Sequence, residues 1–152
     1  MTTRVTITGT GTPIPTPDRA GPGVLVEVEP QTGETVRVQF DAGRNTVMRL
    51  QGAGTSPGGL DALFLTHHHS DHLVGVDDLL LTRWVMDRGQ DLPAIRVVMP
   101  AGPCVRFVDG LADRWSEDLA VRAEHAKWRS GPQVDVLAFG YPTSPTEVWR
   151  SG

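Results

Sequence analysis

The chain has a single cysteine among its 152 residues, so no disulfide can form within it. No apolar run approaches the ~18 residues of a membrane-spanning segment. The N-terminal segment, Met1-Thr2-Thr3-Arg4, has none of the apolar stretch of a signal peptide. The net charge is only -4, which excludes a strongly basic nucleic-acid module. These absences predict a cytoplasmic protein without a membrane partner.

The composition is that of one folded domain. Apolar residues make up 39% of the chain and charged residues 21%, which excludes a disordered acidic or basic tail. A length of 152 residues corresponds to about one domain. Glycine and proline cluster between apolar segments rather than in one linker. We therefore treat residues 1–152 as a single domain.

Apolar periodicity predicts a mixture of strands and helices. Alternating or short apolar runs predict strands at 5–8, 24–28, 36–40, 60–65, 95–99, 134–139 and 147–149. Apolar stripes predict helices at 45–51, 73–88, 105–115 and 118–125. The stripes place Trp84 and Trp115 in the core. This order indicates an α/β or layered α+β fold, with helices outside a sheet.

One short segment concentrates the groups that bind metals. Four of the five histidines fall within six positions, in the run Thr66-His67-His68-His69-Ser70-Asp71-His72. Neutral imidazole and carboxylate are the usual ligands of zinc, iron and manganese. The run follows a predicted buried strand and precedes a predicted helix, where the crevice of an α/β sheet opens. The segment therefore predicts a metal site.

The spacing favours two pairs of ligands. In an extended loop, His67 and His69 point the same way, and Asp71 and His72 can aim elsewhere at the turn into the helix. Each pair could hold one of two ions ~3.5–4 Å apart. The alternative is a structural segment in which Ser70 or Asp71 caps the following helix. His68 and Ser70 are not assigned as ligands.

The motif His67-x-His69-x-Asp71-His72 resembles the H-x-H-x-D-H signature of the metallo-β-lactamase fold. The surroundings are similar to the N-terminal half of its ribonuclease Z-like and arylsulfatase-like branch, across residues 4–85. The matching segments are Thr8-Gly9-Thr10-Gly11-Thr12-Pro13, Arg19-Ala20-Gly21-Pro22, Phe40-Asp41-Ala42-Gly43 and Phe64-Leu65-Thr66-His67.

The resemblance implies a role for each motif residue. His67 and His69 would bind the first metal, and Asp71 and His72 the second. Asp71 would also act as the general base toward the attacking water. Asp41 would hydrogen-bond and orient the histidine loop without touching metal, as outer carboxylates commonly do. The cofactor would be two Zn²⁺ ions, with Mn²⁺ or Fe²⁺ as alternatives.

The resemblance also implies ligands that this chain does not supply. Another histidine, a bridging aspartate and a last histidine would follow, yet the one histidine after His72 is His125, which we expect on a helix surface. We therefore expect the first ββ-α half of an αββα sandwich, truncated before the distal ligands. Two ligands per metal predict weak binding and a chain that is inactive or weakly active alone. An exposed sheet face would favour a homodimer.

The implied reaction is hydrolysis of a phosphodiester or another ester by water activated between two metals. A ribonuclease Z would cleave precursor tRNA and needs a basic surface. Residues 86–130 hold seven acidic and seven basic side chains, so tRNA is not favoured. The alternatives are an arylsulfatase- or lactonase-type small-molecule hydrolase and a non-catalytic remnant of the fold.

Overall fold

A single six-stranded sheet organises the computed structural model, which describes residues 1–150. The strands lie side by side in chain order. The first three pair antiparallel and the last three join in parallel. Their bounds are β1 (Thr2–Gly9), β2 (Gly23–Glu29), β3 (Val36–Phe40), β4 (Ala62–Phe64), β5 (Ile95–Pro100) and β6 (Val134–Phe139). The expectation of a mixed α/β fold is confirmed.

Six helices occupy the connections that follow β3. They are α1 (Thr46–Gly52), α2 (Ser70–Leu73), α3 (Val76–Met86), α4 (Pro103–Asp109), α5 (Leu111–Arg114) and α6 (Ser116–Ala126). Two neighbouring parallel strands need such a crossover connection, because the first strand ends at the opposite end of the sheet from where the second strand begins. Within residues 1–150, no helix is long and apolar enough to cross a membrane.

Two predicted helices are each divided at a glycine. The stripe predicted over 73–88 becomes α2 and α3, separated at Gly75, whose N–H donates to the carbonyl of Ala42 at 2.8 Å. The stripe predicted over 105–115 becomes α4 and α5, which meet at Gly110. Periodicity detected the buried faces but not these breaks, because the apolar spacing continues through both.

The helices pack on one face of the sheet. Leu25 of β2, Leu63 of β4 and Val97 of β5 are fully buried and belong to the same core as the helices. The helical side of this core includes Leu50 of α1 and Leu79 of α3. Burying side chains of this size stabilises the fold by roughly 1.5–3 kcal/mol each.

The opposite face of the sheet is also apolar. Paired positions place Ile7, Val24, Phe40 and Phe64 in one row across β1 to β4. The rings of Phe40 and Phe64 lie 5.0 Å apart. At the β1 edge this face is open, since Ile7 is 59% exposed. The row therefore presents an apolar surface to solvent.

Two expectations about the C-terminal half are wrong. Residues 147–149, predicted as a strand, have an irregular backbone, and the Trp149 ring packs edge-on against Phe64 at 5.6 Å. Trp115, predicted in the core, is 41% exposed, and its indole N–H donates to Asp77 at 2.8 Å. Trp84 is buried as expected, and its indole donates to the carbonyl of Arg129.

Candidate metal centre

The histidine run lies where β4 ends, as its position in the sequence predicted. Residues 65–69 form an extended loop, and α2 then carries Asp71 and His72. His69 is the residue before the first turn of α2 and has an extended backbone. The helix thus starts before Asp71, earlier than the predicted start at 73. The alternative in which Ser70 or Asp71 caps this helix is wrong, because both lie inside it.

Three of the histidine rings lie together. The ring centroid of His67 is 4.5 Å from that of His69 and 4.2 Å from that of His72. The buried carboxylate of Asp71 approaches the other side of His72, with Oδ2 3.8 Å from Nε2. His68, left unassigned in the sequence, is exposed. The structure therefore brings the four predicted ligands into one small region.

Asp41 contacts both Thr66 and His72, at the two ends of the histidine run. It directly follows β3, is buried, and its Oδ2 lies 2.7 Å from Nδ1 of His72. Its Oδ1 accepts a hydrogen bond from the Thr66 backbone N–H at 2.8 Å. The Thr66 hydroxyl lies 2.9 Å from Oδ2 of the same carboxylate. One side chain therefore contacts both ends of the histidine run.

The surroundings of His67 favour its neutral form. Burial lowers the pKa of His67 below its usual value, and the neighbouring rings of His72 and His69 lower the pKa further. The carboxylates of Asp41 and Asp71 act in the opposite direction. A neutral imidazole is the form that binds a metal, because its lone pair is then free.

Two glycines, Gly43 and Gly75, allow close backbone contact between the segment after β3 and the segment that carries Asp71. A Cβ on Gly43 would lie 2.6 Å from the Asp71 carbonyl oxygen, and one on Gly75 would lie 2.2 Å from the Gly43 carbonyl oxygen. Backbone hydrogen bonds close the same contact, from Ala42 N–H to His72 O at 2.9 Å and from Gly75 N–H to Ala42 O at 2.8 Å. The segment after β3 is thus hydrogen-bonded to the helical turn that carries Asp71 and His72.

The N-terminal loop continues this close packing. A Cβ on Gly21 would lie 2.5 Å from the Arg44 backbone nitrogen, and Gly21 N–H donates to the Arg44 carbonyl at 3.0 Å. A Cβ on Gly9 would lie 1.8 Å from the Gly21 carbonyl oxygen. The glycine-rich motifs that carried the family resemblance therefore pack backbone against backbone, next to the segment that carries Asp71 and His72.

The donor set fits a divalent transition metal in its chemistry. His72 has its Nδ1 engaged by Asp41, and His67 has its Nδ1 2.9 Å from the Thr66 hydroxyl. In both rings this leaves Nε2 available, and metal-bound histidines commonly use one nitrogen while the other is hydrogen-bonded. Across residues 1–150, no group of three or more His, Cys, Asp or Glu side chains is arranged to hold a metal ion.

His125 lies elsewhere, as expected. It is exposed on α6 and lines a groove with Trp84, Val85 and Trp128. Sequence reasoning did not single out Thr66, although its hydroxyl stands between Asp41 and His67. The available signal was its place directly before the first histidine, where a hydroxyl can reach a neighbouring ring.

Comparison with known proteins finds similar sequences over most of this chain. The pattern of the Metallo-beta-lactamase superfamily matches residues 32–94, which include Asp41 and the whole histidine run. Ribonuclease Z from Mycobacterium marinum is 37% identical over 136 residues, which are 89% of this chain and 47% of that protein. Residues 32–94 therefore match a metallo-beta-lactamase superfamily domain, and the chain is similar to ribonuclease Z proteins over most of its length.

Solved structures of similar proteins share the fold. The long form RNase Z from yeast aligns with a TM-score of 0.66 at 20% identity, covering 90% of this chain and 17% of that one. The metallo-beta-lactamase fold protein YhfI from Bacillus subtilis aligns with a TM-score of 0.63 at 19% identity. The alignment covers 95% of this chain and 49% of that one. The chain spans about half the length of the curated relatives it matches.

Proposed function

We propose that this chain supplies the first part of the active site of a metal-dependent hydrolase that cleaves a phosphodiester. The observation that carries the proposal is the cluster of His67, His69 and His72 beside Asp71, with His72 held by Asp41. Such a cluster at the end of a parallel strand lies where α/β sheets place their ligands.

Each side chain has a role in this proposal. His67 and His69 hold a first metal, and Asp71 and His72 hold a second. Zinc is the ion that imidazole and carboxylate ligands favour, with manganese or iron as alternatives. When bound, the metal pair supplies Lewis acidity toward the phosphate and makes a water molecule more acidic.

In this proposal, Asp71 accepts a proton from the attacking water. Its carboxylate is buried and lies 3.8 Å from Nε2 of His72. A carboxylate within reach of a metal-activated water can take its proton, since geometry comes first for a general base. Asp41 keeps His72 in a single orientation through the 2.7 Å hydrogen bond.

The relatives favour RNA as the substrate class. The Mycobacterium marinum and Mycolicibacterium gilvum proteins that this chain matches at 37% and 38% identity are both named Ribonuclease Z. An RNA phosphodiester is therefore favoured over a sulfate ester or a lactone. Residues 86–130 hold equal numbers of acidic and basic side chains, so this segment has no excess of positive charge for binding phosphates.

Zinc binding tests the proposal most directly. The chain is titrated with zinc against a coloured chelator, and turnover of a chromogenic phosphodiester and of a short RNA is measured. We expect His69→Ala to weaken zinc binding and abolish any turnover. His125→Ala, a histidine on the exposed face of α6, is the matched control and leaves both unchanged. Equal zinc binding by the two variants contradicts the proposal and favours a non-catalytic remnant of the fold.

We also propose that the open sheet face mediates self-association of this chain. Val5 is 60% exposed on that face, in register with Val26 and Val38. Exposed apolar surface of this kind marks interfaces in soluble proteins. Sedimentation velocity at micromolar concentration tests this, with Val5→Thr expected to reduce the dimer. Val121→Thr on α6, where the valine is 67% exposed, is the control, and a monomeric wild type contradicts the proposal.

A further inference from the structure

The Thr66 hydroxyl occupies a position to which the proposed function assigns no role. Its Oγ1 lies 2.9 Å and 3.0 Å from the two carboxylate oxygens of Asp41. On its other side, the same oxygen lies 2.9 Å from Nδ1 of His67. Thr66 therefore bridges Asp41 and the first histidine of the motif.

The number of protons in this bridge fixes its direction. A hydroxyl carries one proton, and an ionised carboxylate can only accept hydrogen bonds. The Thr66 hydroxyl therefore donates to Asp41. Its oxygen is then left to accept, so the 2.9 Å contact with His67 requires a proton on Nδ1 of that ring. In the neutral ring, the lone pair consequently lies on Nε2.

In His72, the proton on Nδ1 is fixed by direct contact with Asp41, without an intervening hydroxyl. Its Nδ1 lies 2.7 Å from Oδ2 of Asp41, and an ionised carboxylate can only accept, so Nδ1 is the donor and in the neutral ring Nε2 carries the lone pair. This Nε2 is the atom that lies 3.8 Å from Asp71. Asp41 thus orients His72 by direct contact and His67 through the intervening hydroxyl.

The Thr66 backbone makes this bridge rigid. Its N–H donates to Oδ1 of Asp41 at 2.8 Å, so the carboxylate is held at two points by the same residue. The Asp41 N–H in turn donates to the carbonyl of Phe64 at 2.7 Å. The hydroxyl is therefore presented to His67 by backbone contacts that a substitution of the side chain leaves in place.

We propose that Thr66 is a positioning residue that fixes the tautomer of His67, keeping the proton on Nδ1 and presenting the Nε2 lone pair to a cation. The use of that lone pair rests on the proposed metal-binding function. The tautomer itself is a property of the metal-free chain, because every group in the bridge belongs to this protein. Outer hydrogen bonds of this kind set which histidine nitrogen is available.

The tautomer can be measured without any metal. The metal-free chain is labelled with ¹⁵N in its histidine rings, and the long-range ¹H–¹⁵N spectrum distinguishes Nδ1–H from Nε2–H for each ring. In the wild type we expect the Nδ1–H form for His67. Thr66→Val removes the hydroxyl at nearly constant shape, so His67 should become a mixture of both forms. Thr66→Ser restores the hydroxyl and should restore the Nδ1–H form.

Two other rings serve as internal controls in the same spectra. His72 contacts Asp41 directly and should keep its Nδ1–H form in every variant. His125 on α6 should not change. If Thr66→Val lowers stability too far for NMR, Thr66→Ala replaces it, since it also lacks the hydroxyl. A wild-type His67 with its proton on Nε2, or an unchanged His67 in Thr66→Val, overturns the proposal.

Zinc affinity then tests the purpose of the bridge. Removing an outer hydrogen-bond partner of a metal ligand typically weakens binding by about 10–100-fold. We expect a loss in that range for Thr66→Val and recovery in Thr66→Ser. If the wild type fails to bind zinc while the tautomer responds as expected, the proposed function fails and the positioning of His67 stands. If zinc binds but Thr66→Val binds equally well, the positioning role is overturned and the proposed function stands.

Discussion

Nδ1 of His72 lies 2.7 Å from Oδ2 of Asp41, a residue 31 positions earlier in the chain. This contact joins the end of β3 to the helical turn that follows β4, across two neighbouring parallel strands. The Asp41 backbone has a left-handed conformation with φ of 55°. That conformation is uncommon outside glycine but is best tolerated by Asp and Asn. Position 41 therefore requires both a side chain that can accept a hydrogen bond from His72 and a residue that tolerates a left-handed backbone.

Asp41→Asn should separate these two requirements. Asparagine keeps the left-handed backbone, but its amide has one acceptor oxygen in place of two charged ones. The variant should fold, and its zinc affinity should fall by about 10–100-fold, as for loss of an outer ligand partner. Competition with a coloured chelator measures the affinity. Asp109→Asn, at an exposed position on α4, is the control, and equal affinity in the two variants would contradict the role of Asp41.

Gly75→Ala should destabilise the fold through steric contact alone. The backbone of Gly75 has φ of -91°, which alanine adopts freely, but the new Cβ would lie 2.2 Å from the Gly43 carbonyl oxygen. Overpacking a rigid contact typically costs about 1–3 kcal/mol. Gly52→Ala, at the end of α1 in open space, should instead gain about 0.4–1 kcal/mol. Urea unfolding of both variants gives the comparison, and equal midpoints would refute it.

Sequence alone predicted the parts of this structure that follow from local periodicity. The strand at 36–40 occurs with the predicted bounds because its apolar residues alternate without interruption. The strand at 134–139 also occurs with the predicted bounds, as a short apolar run. The crowding of histidines between a buried strand and a helix also predicted where the candidate site lies. These features depend on neighbours in sequence, so the sequence contains them directly.

Other features depend on contacts between distant segments. The division of the helix at Gly75 comes from its hydrogen bond to Ala42, 33 positions away. The indole N–H of Trp115 finds its acceptor on α3, the carboxylate of Asp77, 38 positions earlier in the chain. Asp41 and Thr66 meet only because β3 and β4 are neighbours in the sheet. No local pattern encodes such pairings, and the hydrogen bonds of Asp41 to the histidine loop were expected only from the family resemblance.

Cys104 should react slowly in the native protein. Burial raises the pKa of its thiol above the usual value, and the negative charge of Asp41 raises the pKa further. The thiol therefore stays protonated at pH 8, and the thiolate is the reactive form. Labelling with a chromogenic disulfide at pH 8 should be slow in buffer and rapid in denaturant. Fast labelling of the native chain would show that the thiol is accessible and ionised.

The same shift has a defined sign for stability. Above the unfolded pKa of about 8.5, the unfolded chain releases the thiol proton while the folded chain retains it. The contribution of Cys104 is therefore complete below that pH and is lost as pH rises through the folded pKa. Cys104→Ala should show a shallower decline of unfolding free energy above pH 8.5 than the wild type. Parallel declines in the two proteins would exclude this contribution.

Arg83 should tolerate lysine poorly despite the retained charge. Its buried guanidinium donates from Nη1 to the carbonyls of Pro57 and Gly58 at 2.8 and 2.9 Å, and from Nη2 to that of Pro93 at 2.9 Å. The residue thus ties the 3₁₀ turn at Pro57–Gly59 to the segment that leads into β5. The planar fork of arginine reaches both segments at once, whereas the lysine ammonium is a single point.

The expected size of this effect follows from the carbonyls left without a donor. Lysine in place of Arg83 can serve one of the two segments, and each buried carbonyl that loses its partner costs about 1–3 kcal/mol. Arg83→Lys should therefore lower the unfolding free energy by about 2 kcal/mol or more. Arg88→Lys, at an exposed position just beyond the end of α3, should stay within about 0.5 kcal/mol of the wild type. Chemical denaturation decides between the two, since an equally small effect at both positions would mean that the ammonium alone supports the packing of these segments.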